Sequence, residues 1–404
     1  MKQSFLLSLF IIPLISFSQK TDKLHFKSTL IDTHNDVLSS AVLDGIDISN
    51  RVKEGHSDLV RWNEGGLDVQ FFSVWTGDKP RNKTGFYSDA VQEILMLDTL
   101  VKKNPGQMLL ARNYKDVKKG VKQHKLVALI GVEGGHMIED DINKLESLYE
   151  MGMRYLTLTW NNSTNWATSA MYETGSATHA TTDSVATGIQ SPRPAKNGLS
   201  DFGKDVVRRM NELGIIIDLS HTGEQTFYDA IATSTKPVML SHSNVWALCP
   251  VFRNVNDAQI RTVAKNNGVI CINFYSGFIS RRWDSTQKYL RGNRERIVNE
   301  KWSSLDSTTQ RQYWRKFYDS TLDSARPTIA ELVDHIDYIV KLVGDDYVGI
   351  GSDYDGVGSL PVGLEDVTTY PKITEELVRR GYSKSSIKKI LGENVLRVMK
   401  DNFL

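Results

Sequence analysis

Cysteine is nearly missing from this chain of 404 residues: Cys249 and Cys271 are the only two. Two cysteines cannot staple a domain of this size, which must hold itself together through its apolar core. Cys271 lies in the apolar run Gly268-Val269-Ile270-Cys271-Ile272, where a buried thiol acts as a small hydrophobe; a pairing with Cys249 stays open. An excess of one charge is missing too, with 49 Lys and Arg against 48 Asp and Glu and a formal net charge of +1. That leaves no electrostatic footprint for nucleic acid or an anionic membrane. No internal repeat or low-complexity linker interrupts the chain, so a single domain over 19–404 is expected. The N-terminal apolar run, Phe5 to Phe17, falls short of the roughly 20 residues that a membrane span needs. Preceded by Lys2 and followed by the small Ser18, it has the form of a cleaved secretory signal over 1–18. No cysteine follows it to carry a lipid. The expectation is an exported protein, periplasmic or secreted, with no membrane anchor after signal removal.

What the chain does have is a repeated alternation of apolar strand, polar loop and amphipathic helix. Strands are expected at 29–33, 67–74, 127–132, 154–159, 214–219, 237–241, 268–273 and 347–351. Several, such as Gly214-Ile215-Ile216-Ile217-Asp218-Leu219, are almost continuously apolar, as parallel strands covered on both faces must be. Between them lie helices. The clearest is 328–343, where Thr328 and Glu331 form a capping box, Ile329, Leu332, Val333, Ile336 and Val340 share one face, and Gly344 ends it. Another runs over 200–213, opened by Ser200 and closed by Gly214. Eight strands alternating with helices predict an α/β fold, a (β/α)8 TIM-type barrel whose site gathers at the strands' C-terminal ends. Two loops exceed the usual length. Residues 161–198 after the fourth strand are expected to wall a pocket; residues 276–326 after the seventh carry many charges and aromatics and suit a lid, a homodimer contact or a plain helical insertion.

The polar residues at those strand ends carry the chemistry. His34 and Asp36 follow Leu30-Ile31 two residues apart, a spacing that brings both side chains to one face of a strand. The third strand ends in Glu133-Gly134-Gly135, the fifth in Asp218-Leu219-Ser220-His221, the sixth in Ser241-His242, and the eighth in Ser352-Asp353-Tyr354-Asp355. Glu133, His221, His242 and Asp353 therefore occupy the positions from which barrels deliver functional groups. Three imidazoles with carboxylates suit zinc. Two histidine-bearing groups with one carboxylate between them suggest two ions bridged by Glu133, a centre that deprotonates water and polarises the bond it attacks. His56, His136, His179 and His335 are weaker candidates.

At this point the chain resembles the membrane (renal-type) dipeptidases, zinc peptidases of the amidohydrolase-like barrel group. The resemblance runs from about Leu30 to Val398. It rests on Asp32-Thr33-His34-Asn35-Asp36, Gly131-Val132-Glu133-Gly134, Leu156-Thr157-Leu158-Thr159, Gly198-Leu199-Ser200-Asp201-Phe202-Gly203, Ile217-Asp218-Leu219-Ser220-His221, Ser241-His242-Ser243, Arg253-Asn254-Val255, Asn273-Phe274-Tyr275, Gly351-Ser352-Asp353-Tyr354-Asp355-Gly356-Val357 and Gly392-Glu393-Asn394-Val395-Leu396-Arg397. It implies a zinc dipeptidase with His34 and Asp36 on one ion, His221 and His242 on the other, and Glu133 bridging. It also implies that Arg253 receives the carboxylate of a small dipeptide, that Asp353 handles protons beside a bridging hydroxide, and that Tyr275 lines the site. One residue departs from the pattern. Where the best-known members carry a histidine after Leu156-Thr157-Leu158-Thr159, this chain has Trp160, followed by Asn161 and Asn162. Tryptophan has one N–H donor and no basicity, so Trp160 or Asn161 is expected to contact the substrate in a different way. A hydrolase of another amide, lactam or ester remains the alternative, as does a binding protein that has lost turnover.

Overall fold

The computed structural model describes residues 21–175 and 198–404. The expected signal at 1–18, His179 and much of the loop at 161–198 lie outside them. Among the described residues nine strands form one parallel sheet: β1 (Ile31–Asn35), β2 (Val69–Trp75), β3 (Met108–Leu110), β4 (Leu126–Glu133), β5 (Met153–Thr157), β6 (Ile216–Asp218), β7 (Met239–Leu240), β8 (Val269–Ile272) and β9 (Val348–Ile350). Eight of them close into a ring, because β2 pairs with both β1 and β4, from Val69 opposite Val127 up to Trp75 opposite Glu133. The fold is a (β/α)8 barrel. The extra strand β3 stands outside the ring on the first residues of β4; three residues are too few to show a periodicity in sequence.

Alternation along the strands sorts side chains into two cores. Val69 and Phe71 of β2, Val127 and Leu129 of β4, Met239, Val269 and Cys271 fill the barrel interior, where the helix Asn394–Asn402 adds Val395, Val398 and Met399. Phe72, Val74, Ala128 and Ile130 pack outward beneath the helices. The helices Ile329–Val343 and Asp201–Leu213 form as their caps predict, with Thr328 and Glu331 in a reciprocal capping box and Ser200 accepting from Gly203 N–H. Cys249 and Cys271 are both buried free thiols, so no bridge joins them.

The first strand runs two residues later than its apolar run predicts, and its register slips. Asp32 pairs with Gln70 but Asn35 with Phe72, so β1 spends three residues where β2 spends two. Such a bulge re-aims the side chains beyond it. His34 consequently faces the barrel interior, where its Nδ1 meets the hydroxyl of Tyr155 at 2.8 Å. Tyr155 fits there because Gly131 has no side chain: a Cβ at that position would lie 1.9 Å from the ring. The insertion after β8 comprises the helices Arg281–Gly292, Arg294–Trp302 and Ser307–Ser324, with a small core of its own around Trp283, Leu290, Ile297 and Leu322.

Candidate metal centre

The five expected ligands meet at the C-terminal mouth of the barrel, and all five are buried. The two oxygens of Glu133 divide between two groups. Oε2 lies 3.5 Å from His34 Nε2, which is itself 3.4 Å from Asp36 Oδ2. Oε1 lies 2.9 Å from His221 Nε2 and 3.3 Å from His242 Nε2. The imidazoles of His34 and His242 stack with centroids 3.8 Å apart, so the two groups are contiguous.

Hydrogen bonding behind the imidazoles points to Nδ1 as the nitrogen that carries the proton. His221 Nδ1 faces the side-chain oxygen of Asn161 at 3.0 Å and so bears the hydrogen. His242 Nδ1 faces Ser241 Oγ at 2.7 Å, and that hydroxyl donates to Asp218 Oδ2, also at 2.7 Å. In the neutral rings, therefore, both Nε2 atoms hold lone pairs, yet they stand 3.0 Å apart beside a carboxylate oxygen. Three acceptors converging on one point call for a cation between them. Across the bridge, His34 Nε2 and Asp36 Oδ1 are buried without any hydrogen-bond partner. The donor set thus fits metal ions, and potential ligand atoms cluster twice: His34 with Glu133 and His242, and His34 with Asp36 and Asp353.

The electrostatics differ between the two sides: burial works against a charge on His34, but Tyr155, Glu133 and Asp36 raise it well above its ordinary value, so that imidazole carries a positive charge of its own. Burial, reinforced by Arg253, pushes His221 down to about 4, and burial with the charge on His34 holds His242 well below its ordinary value. Both imidazoles are thereby kept neutral, the state a metal requires. Burial works against ionising Glu133, but the charge on His34 beside it holds the carboxyl well below the usual range. His221 and Asp353 sit in the left-handed region at φ 66° and 63°, a conformation uncommon for non-glycine residues.

The remaining candidates take their places around this cluster. Arg253, in the loop after β7, is 4 % exposed; Nη2 donates to the His242 carbonyl at 3.0 Å, while Nε and Nη1 have no partner. Asp353 Oδ2 accepts from Asn273 Nδ2 at 2.8 Å, and burial raises the carboxyl well above its ordinary value. Tyr275 borders a cavity of about 800 Å³ between the insertion helices and the loop after β9, which His56 also lines. Trp160 stands with its ring centroid 6.3 Å from that of His221. Of the weaker candidates, His335 is structural, accepting from Val245 N–H and bonding the Ile279 carbonyl. His136 is buried near the mouth, its Nε2 on the Thr76 carbonyl. The sequence reading passed over Tyr155, Ser241 and Asp218; the spacing Asp218-Leu219-Ser220-His221 contained the last without revealing what it holds.

A barrel whose mouth gathers nitrogen and oxygen donors around a bridging carboxylate is that of a metal-dependent hydrolase. The profile of the membrane dipeptidases (peptidase family M19) matches residues 18–403. The chain belongs to that family and is a metallo-dipeptidase by class. Its fold is shared with the probable dipeptidase PvdM from Pseudomonas aeruginosa, at 24% identity and a TM-score of 0.77 over 96% of this chain and 98% of that one. An amidohydrolase from Pseudomonas aeruginosa is similar at 22% identity and a TM-score of 0.68, over 95% and 99%. A metallo peptidase from Rhodobacter sphaeroides, liganded with a phosphinate mimic of the dipeptide L-Ala-D-Ala, matches at 21% identity and a TM-score of 0.70, over 93% and 99%.

Proposed function

We propose that the protein hydrolyses dipeptides bearing a free C-terminal carboxylate, using two zinc ions held by His34 and Asp36 on one side, His221 and His242 on the other, and Glu133 between. Three imidazoles and two carboxylates are the nitrogen and oxygen donors that zinc favours. When bound, such ions lower the pKa of water and polarise the scissile carbonyl.

The residues of the chain supply the rest. The observation that carries the reading is Arg253, a buried guanidinium with two unpartnered nitrogens, adjoining the ligands through the His242 carbonyl. Among the described residues no carboxylate bonds it, and a buried charge needs a partner. A substrate carboxylate provides one, which limits substrates to peptides whose C-terminus lies one residue beyond the cleaved bond. Tyr275 lines the cavity beside the insertion helices. Water adds to the carbonyl carbon, and Asp353 takes its proton on Oδ1, since Oδ2 is held by Asn273. Asp353 then delivers that proton to the amine nitrogen as the C–N bond breaks. Asn161 positions the His221 ring through Nδ1. Export rests on the Lys2 and Phe5–Phe17 pattern of the first 18 residues, and N-terminal sequencing of the secreted chain, expected to begin at Gln19, checks it.

Arg253→Ala tests the clamp. KM for a dipeptide should rise by on the order of a hundredfold, the value of a lost charge-assisted bond to a buried group, while the corresponding dipeptide amide should change little. Equal loss on both substrates would overturn it. Asp353→Asn should keep its metal and lose turnover; loss of metal in elemental analysis would make Asp353 a ligand instead.

A further inference from the structure

We propose that Trp75 and Trp160 form the subsite for the N-terminal residue of the dipeptide and select aromatic or other flat apolar side chains there. The proposal rests on the reading of Arg253 as the carboxylate clamp.

Trp75 ends β2 directly opposite Glu133 on β4. Register partners in a parallel pair share a face of the sheet, so the indole points with Glu133 into the mouth. It meets Trp160 edge to face, with centroids 5.2 Å apart and planes at 66°, and Trp160 in turn stands beside His221. Neither indole is sunk in the core: both are only partly buried, whereas their strand neighbours Val74 and Leu158 are fully covered. The mouth therefore carries a two-indole wall next to the ligands, where a histidine would have given a polar one.

The backbone that carries Trp75 is held from both sides. The buried Glu93 accepts from the Trp75 N–H at 3.1 Å, and Arg81, ion-paired with Glu93, donates to the Trp75 carbonyl at 2.7 Å. Both ends of the Trp75 peptide unit are thus fixed from the helix Phe86–Lys103 and the loop before it. A surface fixed before binding loses little freedom when a ring lands on it.

Position around the ring decides which substrate residue meets the wall. In the eight-strand order β2, β1, β9, β8, β7, β6, β5, β4, strand β2 stands four places from β7 in either direction. Arg253 follows β7, and Trp75 ends β2. A dipeptide pinned by its carboxylate at Arg253, with its peptide bond over Glu133, extends its N-terminal residue towards the opposite side, where the indoles stand. Aromatic rings there gain both apolar burial and edge-to-face contact.

The test compares kcat/KM for an X-Ala series (X = Gly, Leu, Phe, Trp) with an Ala-X series, in the wild type, Trp75→Ala, Trp75→Phe and Trp160→Ala. The wild type should prefer Phe-Ala over Gly-Ala by roughly tenfold to a hundredfold. Either alanine variant should bring that ratio to near unity, Trp75→Phe should retain most of it, and the ratios within the Ala-X series should hold. Calorimetric titration with phosphinate dipeptide mimics carrying Phe or Gly at the N-terminal position reads the same preference without turnover. A preference confined to the Ala-X series, none in the X-Ala series, or equal loss for all X-Ala substrates in Trp75→Ala at unchanged metal content would overturn the proposal. If Arg253→Ala fails to alter KM while the Phe-over-Gly preference persists in the mimics, the clamp reading falls and the subsite stands.

Discussion

The two sides of the proposed metal centre are built by different means. His34 lies in β1 and Asp36 directly after it, they reach the mouth because β1 carries an extra residue, and among the described residues Tyr155 alone hydrogen-bonds the His34 ring. His221 and His242 come from adjacent strands, β6 and β7, and are backed by Asn161 and by the Ser241–Asp218 pair. One device is common to both. Asp218 accepts from the backbone of Ser220 and from both the backbone and hydroxyl of Ser241, stapling β6 to β7. Asp32 likewise accepts from the backbone of His34 and from both groups of Ser352, stapling β1 to the end of β9. The barrel therefore holds each ligand group by a buried carboxylate that touches no ligand side chain. The difference lies above that level: the His34 side depends on backbone register and one phenol, the other side on a chain of hydrogen bonds.

The sharpest way to break the comparison is to remove the residue both sides share. Glu133→Gln should lose several kcal/mol of transition-state stabilisation, on the order of a thousandfold in activity, and elemental analysis should show both metal positions depleted together. Loss from one side only would mean that Glu133 does not bridge. Next in size are the supporting residues. Tyr155→Phe and Ser241→Ala should each cost roughly 10- to 100-fold in metal affinity or activity. Chelator competition should show a different ion lost first in the two variants; identical metal-loss profiles would merge the two sides into one unit.

The smallest effect separates the His34 side by pH. Burial, against the pull of Arg81, pushes Glu93 up to about 8 from an ordinary 4.5, with Asp36 among the charges that raise it. A carboxyl raised in the folded state favours folding fully below its unfolded value, and that contribution is lost as pH rises through the folded one. The wild-type Tm should therefore decline between about pH 4.5 and 8 more steeply than that of Glu93→Gln. Parallel curves would show that Glu93 is ionised throughout.

Much of this was legible in sequence, for a physical reason. Strands covered on both faces must be continuously apolar, so all eight ring strands announced themselves, and the residues at or just past their ends supplied the five proposed ligands. What escaped was non-local or short. Strand β3 has three residues. The end of β1 was set two residues short because His34-Asn35 reads as a loop, whereas the distant Tyr155 and Ser57 bond those two side chains. Tyr155 looked like any strand tyrosine, since only the gap left by Gly131 directs its hydroxyl to His34. Asn161, expected to face substrate, has its oxygen turned to His221. Trp75 became visible only when the register set it beside Glu133.

The surplus residue in β1 makes the length of that segment part of the chemistry. Without that slip the same sequence would set His34 opposite Phe72, outwards beneath the helices, leaving a well-paired sheet with half of the proposed binding site. At this one place, a tidier strand would make a poorer enzyme.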